Sequence, residues 1–214
     1  MMQQKEFSYR LYLVTDEKAC LGRDLIKITE AAVKGGVDLV QLREKDLDEK
    51  QFVEKALRLK QMLDRYQVPL IINDNLNVAK ACQAAGIHVG NSDRSPVEIR
   101  REWAGHYMIG YSIEEESQVT SASAHHADYL GISPVFTTPT KTDTITEWGL
   151  EGVRKIRSLS SKPLVAIGGI NNDNAFAVIS AGADCLAVVS AICSAPDPVR
   201  AAETIRMEIE KALK

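Results

Sequence analysis

Short apolar runs rich in β-branched residues alternate with stretches of helical period along the whole chain. The β-type runs fall at residues 9–15, 38–45, 70–74, 86–90, 108–112, 129–133, 163–167 and 185–190. Between them the helical period predicts helices over 24–34, 48–66, 76–85, 114–127, 150–160 and 198–213. One further helix opens at Ser95-Pro96, with proline in its first turn, and another is capped by Asn172 or Asp173 and reaches residue 181. Local punctuation agrees with these limits. Gly35-Gly36 stops the first helix, and Asp48 precedes a long one whose apolar face is Phe52, Ala56, Leu59 and Leu63. Acidic residues crowd the start of the helix at 114, as the macrodipole favours.

Strict alternation of β and α units requires parallel strands joined by right-handed crossovers. Eight such units in 214 residues predict an α/β fold, a single (β/α)8 TIM barrel forming one catalytic domain over 1–214. An open doubly wound sheet is the alternative, but no Gly-x-Gly-x-x-Gly turn follows the first strand. Short self-similar runs (Ala-Gly-Ile-His, Ala-Asp-Tyr-Leu, Ala-Gly-Ala-Asp-Cys-Leu) lead into three of the strands, as repeating units would.

Composition narrows the class. The chain is 45% hydrophobic, with 26 basic and 29 acidic side chains and a net charge of −3, which argues against nucleic acid or an anionic membrane surface as partner. The first ten residues are polar and charged, and no apolar run is long enough to span a bilayer. The cysteines (Cys20, Cys82, Cys185, Cys193) lie far apart without a Cys-x-x-Cys pair. A soluble cytoplasmic protein without disulfides is expected, acting on small molecules as a monomer or a homo-oligomer.

In such a barrel the chemistry sits at the carboxyl ends of the strands. The run 38–45 begins apolar and ends in charge, with Gln41, Arg43 and Lys45 on one face and Leu42 and Glu44 on the other. Either the strand frays into water or two cations face something anionic. Asp74 and Asp93 follow adjacent strands, about 5 Å apart in a parallel pair. Two such carboxylates beside cations suit magnesium, which takes one or two carboxylates and completes its shell with water and phosphate oxygens. Each could instead cap the next helix, Asp74 ahead of Leu76 and Asp93 ahead of Pro96. No His/Cys cluster has zinc spacing, and His125-His126 are neighbours on a helix. Gly168-Gly169 and Ser190 end the last two strands, where barrel loops often cradle a phosphate. The polar loop over 137–147 suits a lid on a phosphorylated ligand, or a plain surface loop. No nucleophile with its base stands out. The residues together suit a diphosphate leaving group and a second, phosphate-bearing substrate.

Over nearly its full length the chain resembles the thiamine phosphate synthase family. The resemblance rests on Leu11-Tyr12-Leu13-Val14-Thr15-Asp16, Gln41-Leu42-Arg43-Glu44-Lys45, Ile72-Asn73-Asp74 and His88-Val89-Gly90 with Asp93. It continues through Gly110-Tyr111-Ser112, Pro134-Val135-Phe136 with Thr138-Pro139-Thr140-Lys141, Ala166-Ile167-Gly168-Gly169-Ile170 and Val188-Val189-Ser190-Ala191-Ile192. It implies that Gln41, Leu42, Arg43, Glu44, Lys45, Asn73, Ser112 and Lys141 hold hydroxymethylpyrimidine diphosphate, an aminated pyrimidine. It further implies that Asp74 and Asp93 hold magnesium, and that Thr138, Pro139, Thr140, Gly169, Val189 and Ser190 hold a thiazole phosphate. The implied reaction joins the two rings with release of diphosphate, and Arg43, Lys45 and Lys141 stabilise the departing charge.

The chain departs from the family pattern at Asn75, where a charged residue is usual, and at Asn91, where glutamine is usual. At Glu114 a histidine is common. That histidine matters in the related thiazole tautomerase, which shares the barrel but lacks a complete diphosphate site. A non-catalytic sensor of phosphate ligands is a second alternative, since fold alone does not decide function. Retention of both aspartates favours the synthase.

Overall fold

A computed structural model describes residues 7–137 and 147–214. Eight parallel strands close into a barrel in sequence order: β1 (Leu11–Val14), β2 (Leu39–Leu42), β3 (Leu70–Asn73), β4 (Gly86–Val89), β5 (Met108–Ile113), β6 (Tyr129–Ile132), β7 (Leu164–Ile167) and β8 (Cys185–Val188). β8 returns to β1 with Tyr12 opposite Ala187, which leaves no free edge. The expected (β/α)8 barrel is the fold observed.

Each strand divides its side chains between two layers, as the period of two requires. Tyr12, Val14, Leu39, Ile71, Tyr129, Val165, Cys185 and Ala187 pack inside the barrel. Leu11, Leu13, Val40, Leu42, Leu70 and Ile72 point outward into a larger apolar layer against the helices. Only four buried residues are polar among those described, and two of them, Gln41 and Asn73, lie on the inward face of neighbouring strands. The barrel interior therefore turns polar toward its carboxyl end.

The helices are α1 (Leu25–Lys34), α2 (Glu49–Asp64), α3 (Leu76–Ala81), α4 (Pro96–Glu102), α5 (Ala122–His126), α6 (Gly149–Leu159), α7 (Asn172–Ser180), α8 (Ser190–Cys193) and α9 (Pro198–Ala212). Asp48 caps α2 as expected, in a reciprocal capping box with Gln51. Three expectations are corrected. The helix over 114–127 is a 3-10 turn, Glu116–Thr120, and then the short α5, because the Ser121 side chain accepts from Ala124 N and restarts the helix. α7 is capped by Asn171, whose side chain accepts from Asp173 N. The run over 185–190 stops at Val188, and Ser190 already begins α8, a four-residue helix with no side-chain cap to announce it.

The repeated Asp before a strand has a physical role. Asp38 accepts from the backbone N–H of Arg10 and Leu11 at 3.0–3.1 Å and pairs with Arg206 of α9 at 2.6 Å. Asp128 accepts from Ile109 N at 2.7 Å and pairs with Arg100 of α4. Asp184 accepts from Leu164 N at 2.8 Å and pairs with Arg157 of α6. At all three places a carboxylate ties the start of one strand to its predecessor and to an outer helix. These clamps sit at the amino ends of the strands and leave the carboxyl ends for the site.

Candidate active site

At the carboxyl end of the barrel a cavity of about 300 Å³ opens between the loops of β1, β2, β7 and β8. Thr15, Asp16 and Arg43 line one side, and Gly168, Gly169, Val189, Ser190 and Ala191 line the other. Gly168 and Gly169 take φ of +105° and +63°. A Cβ on Gly169 would lie 2.8 Å from Phe136 Cβ and from Thr137 O, so glycine lets the β7 loop close onto the segment after β6. That contact with protein, rather than with a phosphate, already requires the glycine.

Both aspartates stand at the carboxyl ends of adjacent strands, Asp74 lining a second pocket with Glu49, Asn75 and Arg94, and neither caps a helix. Asn75 caps α3 by accepting from Val78 N at 3.0 Å, and Ser95 caps α4 in a capping box with Glu98. Asp74 sits in the left-handed region, at φ +60°, a conformation that costs a non-glycine residue about 1 kcal/mol and gathers at functional sites. Its carboxylate accepts from Lys45 Nζ and from Asn73 Nδ2, both at 2.6 Å, and lies within hydrogen-bonding reach of Asp93. Burial pushes its pKa up, Lys45 partly offsets this, and the Asp93 carboxylate pushes it up again. Asp93 Oδ2 accepts from Gly90 N at 2.8 Å. Among the described residues no group of three or more His, Cys, Asp or Glu side chains is arranged to hold a metal. Two touching carboxylates whose mutual repulsion is only partly balanced do fit a cation that takes its remaining ligands from water and phosphate.

The two cations on the inward face of the β2 end have partners in the protein itself. Arg43 lies 3.5 Å from Asp16, and Lys45 is the partner of Asp74. The frayed-strand alternative therefore fails, since Arg43 keeps only about a quarter of its side chain exposed. Leu42 and Glu44 turn the other way. Leu42 is buried in the outer apolar layer, and the Glu44 carboxylate pairs with Lys55 of α2. Both thus lie on the face away from Gln41, Arg43 and Lys45. Thr138, Pro139, Thr140 and Lys141, with the loop proposed as a lid, lie outside the described residues.

Between Gln41 and Ser112 runs a set of hydrogen bonds that the residue-type reading missed. Gln41 Nε2 donates to Tyr12 Oη at 2.8 Å, and Tyr12 Oη lies 3.1 Å from Tyr129 Oη. Tyr129 Oη is 3.1 Å from His88 Nδ1, and His88 Nε2 is 2.8 Å from Ser112 Oγ. Both tyrosines are wholly buried, and burial raises both phenol pKa values, so each keeps its proton. Alternation held the signal, because Tyr12, His88 and Tyr129 occupy inward positions of the runs LYLV, GIHV and YLGI. Of the departures from the family pattern, Asn75 is the α3 cap. Asn91 accepts from Tyr111 Oη at 2.5 Å and donates to Glu114 at 3.3 Å.

Comparison with known proteins agrees with this geometry. The sequence model of the family described as thiamine monophosphate synthase matches residues 11–192. The chain is 50% identical to the thiamine-phosphate synthase of Albidiferax ferrireducens, over 94% of this chain and 92% of that protein. It is 47% identical to the thiamine-phosphate synthase of Vibrio campbellii, over 92% and 96% respectively. Among solved structures, the thiamine phosphate pyrophosphorylase of Pyrococcus furiosus superposes with a TM-score of 0.86 at 33% identity, covering 97% of this chain and 98% of that one. A matched barrel and relatives that span nearly its whole length place the chain in the thiamine monophosphate synthase family.

Proposed function

We propose that this chain forms thiamine phosphate and diphosphate from hydroxymethylpyrimidine diphosphate and a thiazole phosphate, at the carboxyl end of the barrel. The observation that carries this is the cavity mouth, which sets Arg43 and Asp16 on one wall opposite Gly168, Gly169 and Ser190 on the other. The touching Asp74–Asp93 pair stands at the ends of β3 and β4. Two pockets at the carboxyl end of the barrel thus offer two places for anionic groups.

Gln41, Asn73 and Ser112 orient the pyrimidine, while Arg43, Lys45 and Lys141 balance the charge that collects on the leaving diphosphate. Gly169, Val189 and Ser190, with Thr138, Pro139 and Thr140, hold the thiazole phosphate. Asp74 and Asp93 would hold magnesium, which when bound supplies Lewis-acid neutralisation of the diphosphate oxygens. Lys45, paired with Asp74, supplies a further positive charge beside these carboxylates. The C–O bond of the pyrimidine methylene breaks with its electron pair on the diphosphate, and the thiazole nitrogen donates its lone pair to the methylene carbon. No proton moves, and no protein atom attacks. This agrees with a site whose described residues set cations beside paired carboxylates. The described helices include none long and apolar enough to cross a membrane, and four buried free cysteines fit work in the reducing cytoplasm.

Incubating the purified protein with both phosphorylated precursors and magnesium tests the proposal. Thiamine phosphate and diphosphate are expected in equal amounts. Isomerisation of the thiazole without coupling would assign the chain to the tautomerase, and binding of the precursors without turnover would make it a sensor.

A further inference from the structure

The hydrogen-bonded set inside the barrel joins two residues on different strands that, on the reading above, both face the pyrimidine. Its members are held in place by volume as well as by bonds. A Cβ on Gly110 would lie 2.2 Å from Tyr129 Cζ and 2.3 Å from His88 Nδ1, so only glycine at this point of β5 admits both rings. Gly131 makes a similar allowance on β6, where a Cβ would come within 3.1 Å of His88 Cε1. The His88 and Tyr129 rings stack with centroids 5.5 Å apart.

Such a set has a direction. Gln41 Nε2 donates to Tyr12 Oη, and a wholly buried hydroxyl with two partners keeps its hydrogen bonded only by passing it on, here to Tyr129 Oη. By the same rule Tyr129 donates to His88 Nδ1, and the tautomer that accepts there carries its hydrogen on Nε2, 2.8 Å from Ser112 Oγ. Ser112 accepts there and has its own O–H to offer elsewhere. At the other end, with Nε2 bonded to Tyr12, Gln41 has its amide oxygen, an acceptor, to offer. The reverse arrangement, with every buried hydrogen again bonded, would present a donor at Gln41 and an acceptor at Ser112.

We propose that Tyr12, Tyr129 and His88 are positioning residues that lock the hydrogen-bond polarity of Gln41 and Ser112, so that the site selects a ring carrying an amino donor beside a ring-nitrogen acceptor. A ring with an oxo group and a ring N–H has the opposite pattern and would meet an acceptor with an acceptor. The proposal rests on the assignment of Gln41 and Ser112 to the pyrimidine and goes beyond it, because none of the three positioning residues needs to touch the substrate.

Tyr129→Phe and Tyr12→Phe each remove one hydroxyl and keep the ring that fills the barrel. The test measures kcat/KM with the aminopyrimidine diphosphate and with its deaminated oxo analogue, and KM for the thiazole phosphate, in wild type, both variants and Gln41→Leu. The expected result for both tyrosine variants is a loss on the order of ten-fold in amino-over-oxo preference. It should arise in KM for the pyrimidine, while KM for the thiazole phosphate is unchanged. A purely structural role would lower activity toward both pyrimidines alike. Undiminished preference in both tyrosine variants, with Gln41→Leu impaired, would overturn the polarity lock alone. Unchanged pyrimidine kinetics in Gln41→Leu would overturn the site assignment and the lock together.

Discussion

Asp74 is where backbone and chemistry meet most closely. Its left-handed φ is kept although a cap for α3 is supplied by its neighbour Asn75, so the strain serves the position of the carboxylate. Asp74→Gly should relieve the strain and remove the charge together. We expect stability to hold or rise by about 0.5–1 kcal/mol in urea unfolding, with most coupling activity lost. Asp74→Ala should lose the activity without that gain, and equal stability of the two variants would rule out strain at this residue. Asp93→Ala is expected to keep the fold and lose most of the magnesium-dependent rate, and an undiminished rate would dismiss the metal assignment. The interior tyrosines give a pH prediction. Burial raises both phenol pKa values above 10, the value for an exposed tyrosine. Above that pH the unfolded chain releases protons that the folded chain retains, so their contribution to stability is intact below pH 10 and falls as pH rises further. Phenolate absorbance during alkaline titration should show two tyrosines that ionise only on unfolding.

Among the secondary-structure elements, the punctuation explains which expectations held. Asp48, Ser95 and Pro96 are local signals, and α2 and α4 begin where they indicate. The region over 114–127 has competing signals. Gln118 folds back to accept from Glu114 N and Glu115 N, and Ser121 offers a second cap, so two short turns replace one helix. The Asp clamps belong to this scale as well. Asp38→Ala would leave two backbone N–H groups without their acceptor and Arg206 with only Gly36 O and Glu210, and a loss of about 2 kcal/mol is expected in chemical unfolding. Because Asp38 lies at the amino end of β2, KM for both substrates should stay at the wild-type value. A changed KM would mean that the two ends of the barrel are coupled.

For the whole molecule, strand closure decides which side chains share a space. Arg43 and the Gly168-Gly169 turn are far apart in sequence and line one cavity because β8 returns to β1. Gly169→Ala, where the added Cβ would meet Phe136 and Thr137 O, should push the β7 loop away from the segment after β6. We expect KM for the thiazole phosphate to rise several-fold, with KM for the pyrimidine diphosphate little changed. A parallel rise in both would show that the two anion sites move as one body.

The sequence by itself determined the order of elements, the closed barrel and the strand ends that carry chemistry. Alternation, caps and turns act over a few residues, and right-handed crossovers leave few ways to join eight such units. It also placed Asp74, Asp93 and Lys45 together, since adjacent strands put their ends side by side, whereas Arg43 turned to Asp16. Only the tertiary structure decided the partners. It turned Glu44 away to Lys55, set Lys45 on Asp74, and ran Gln41, Tyr12, Tyr129, His88 and Ser112 together through the barrel. Those five residues come from five strands, and their meeting depends on barrel closure and on the space left by Gly110. No local pattern encodes that space, because it exists only once the sheet has closed on itself.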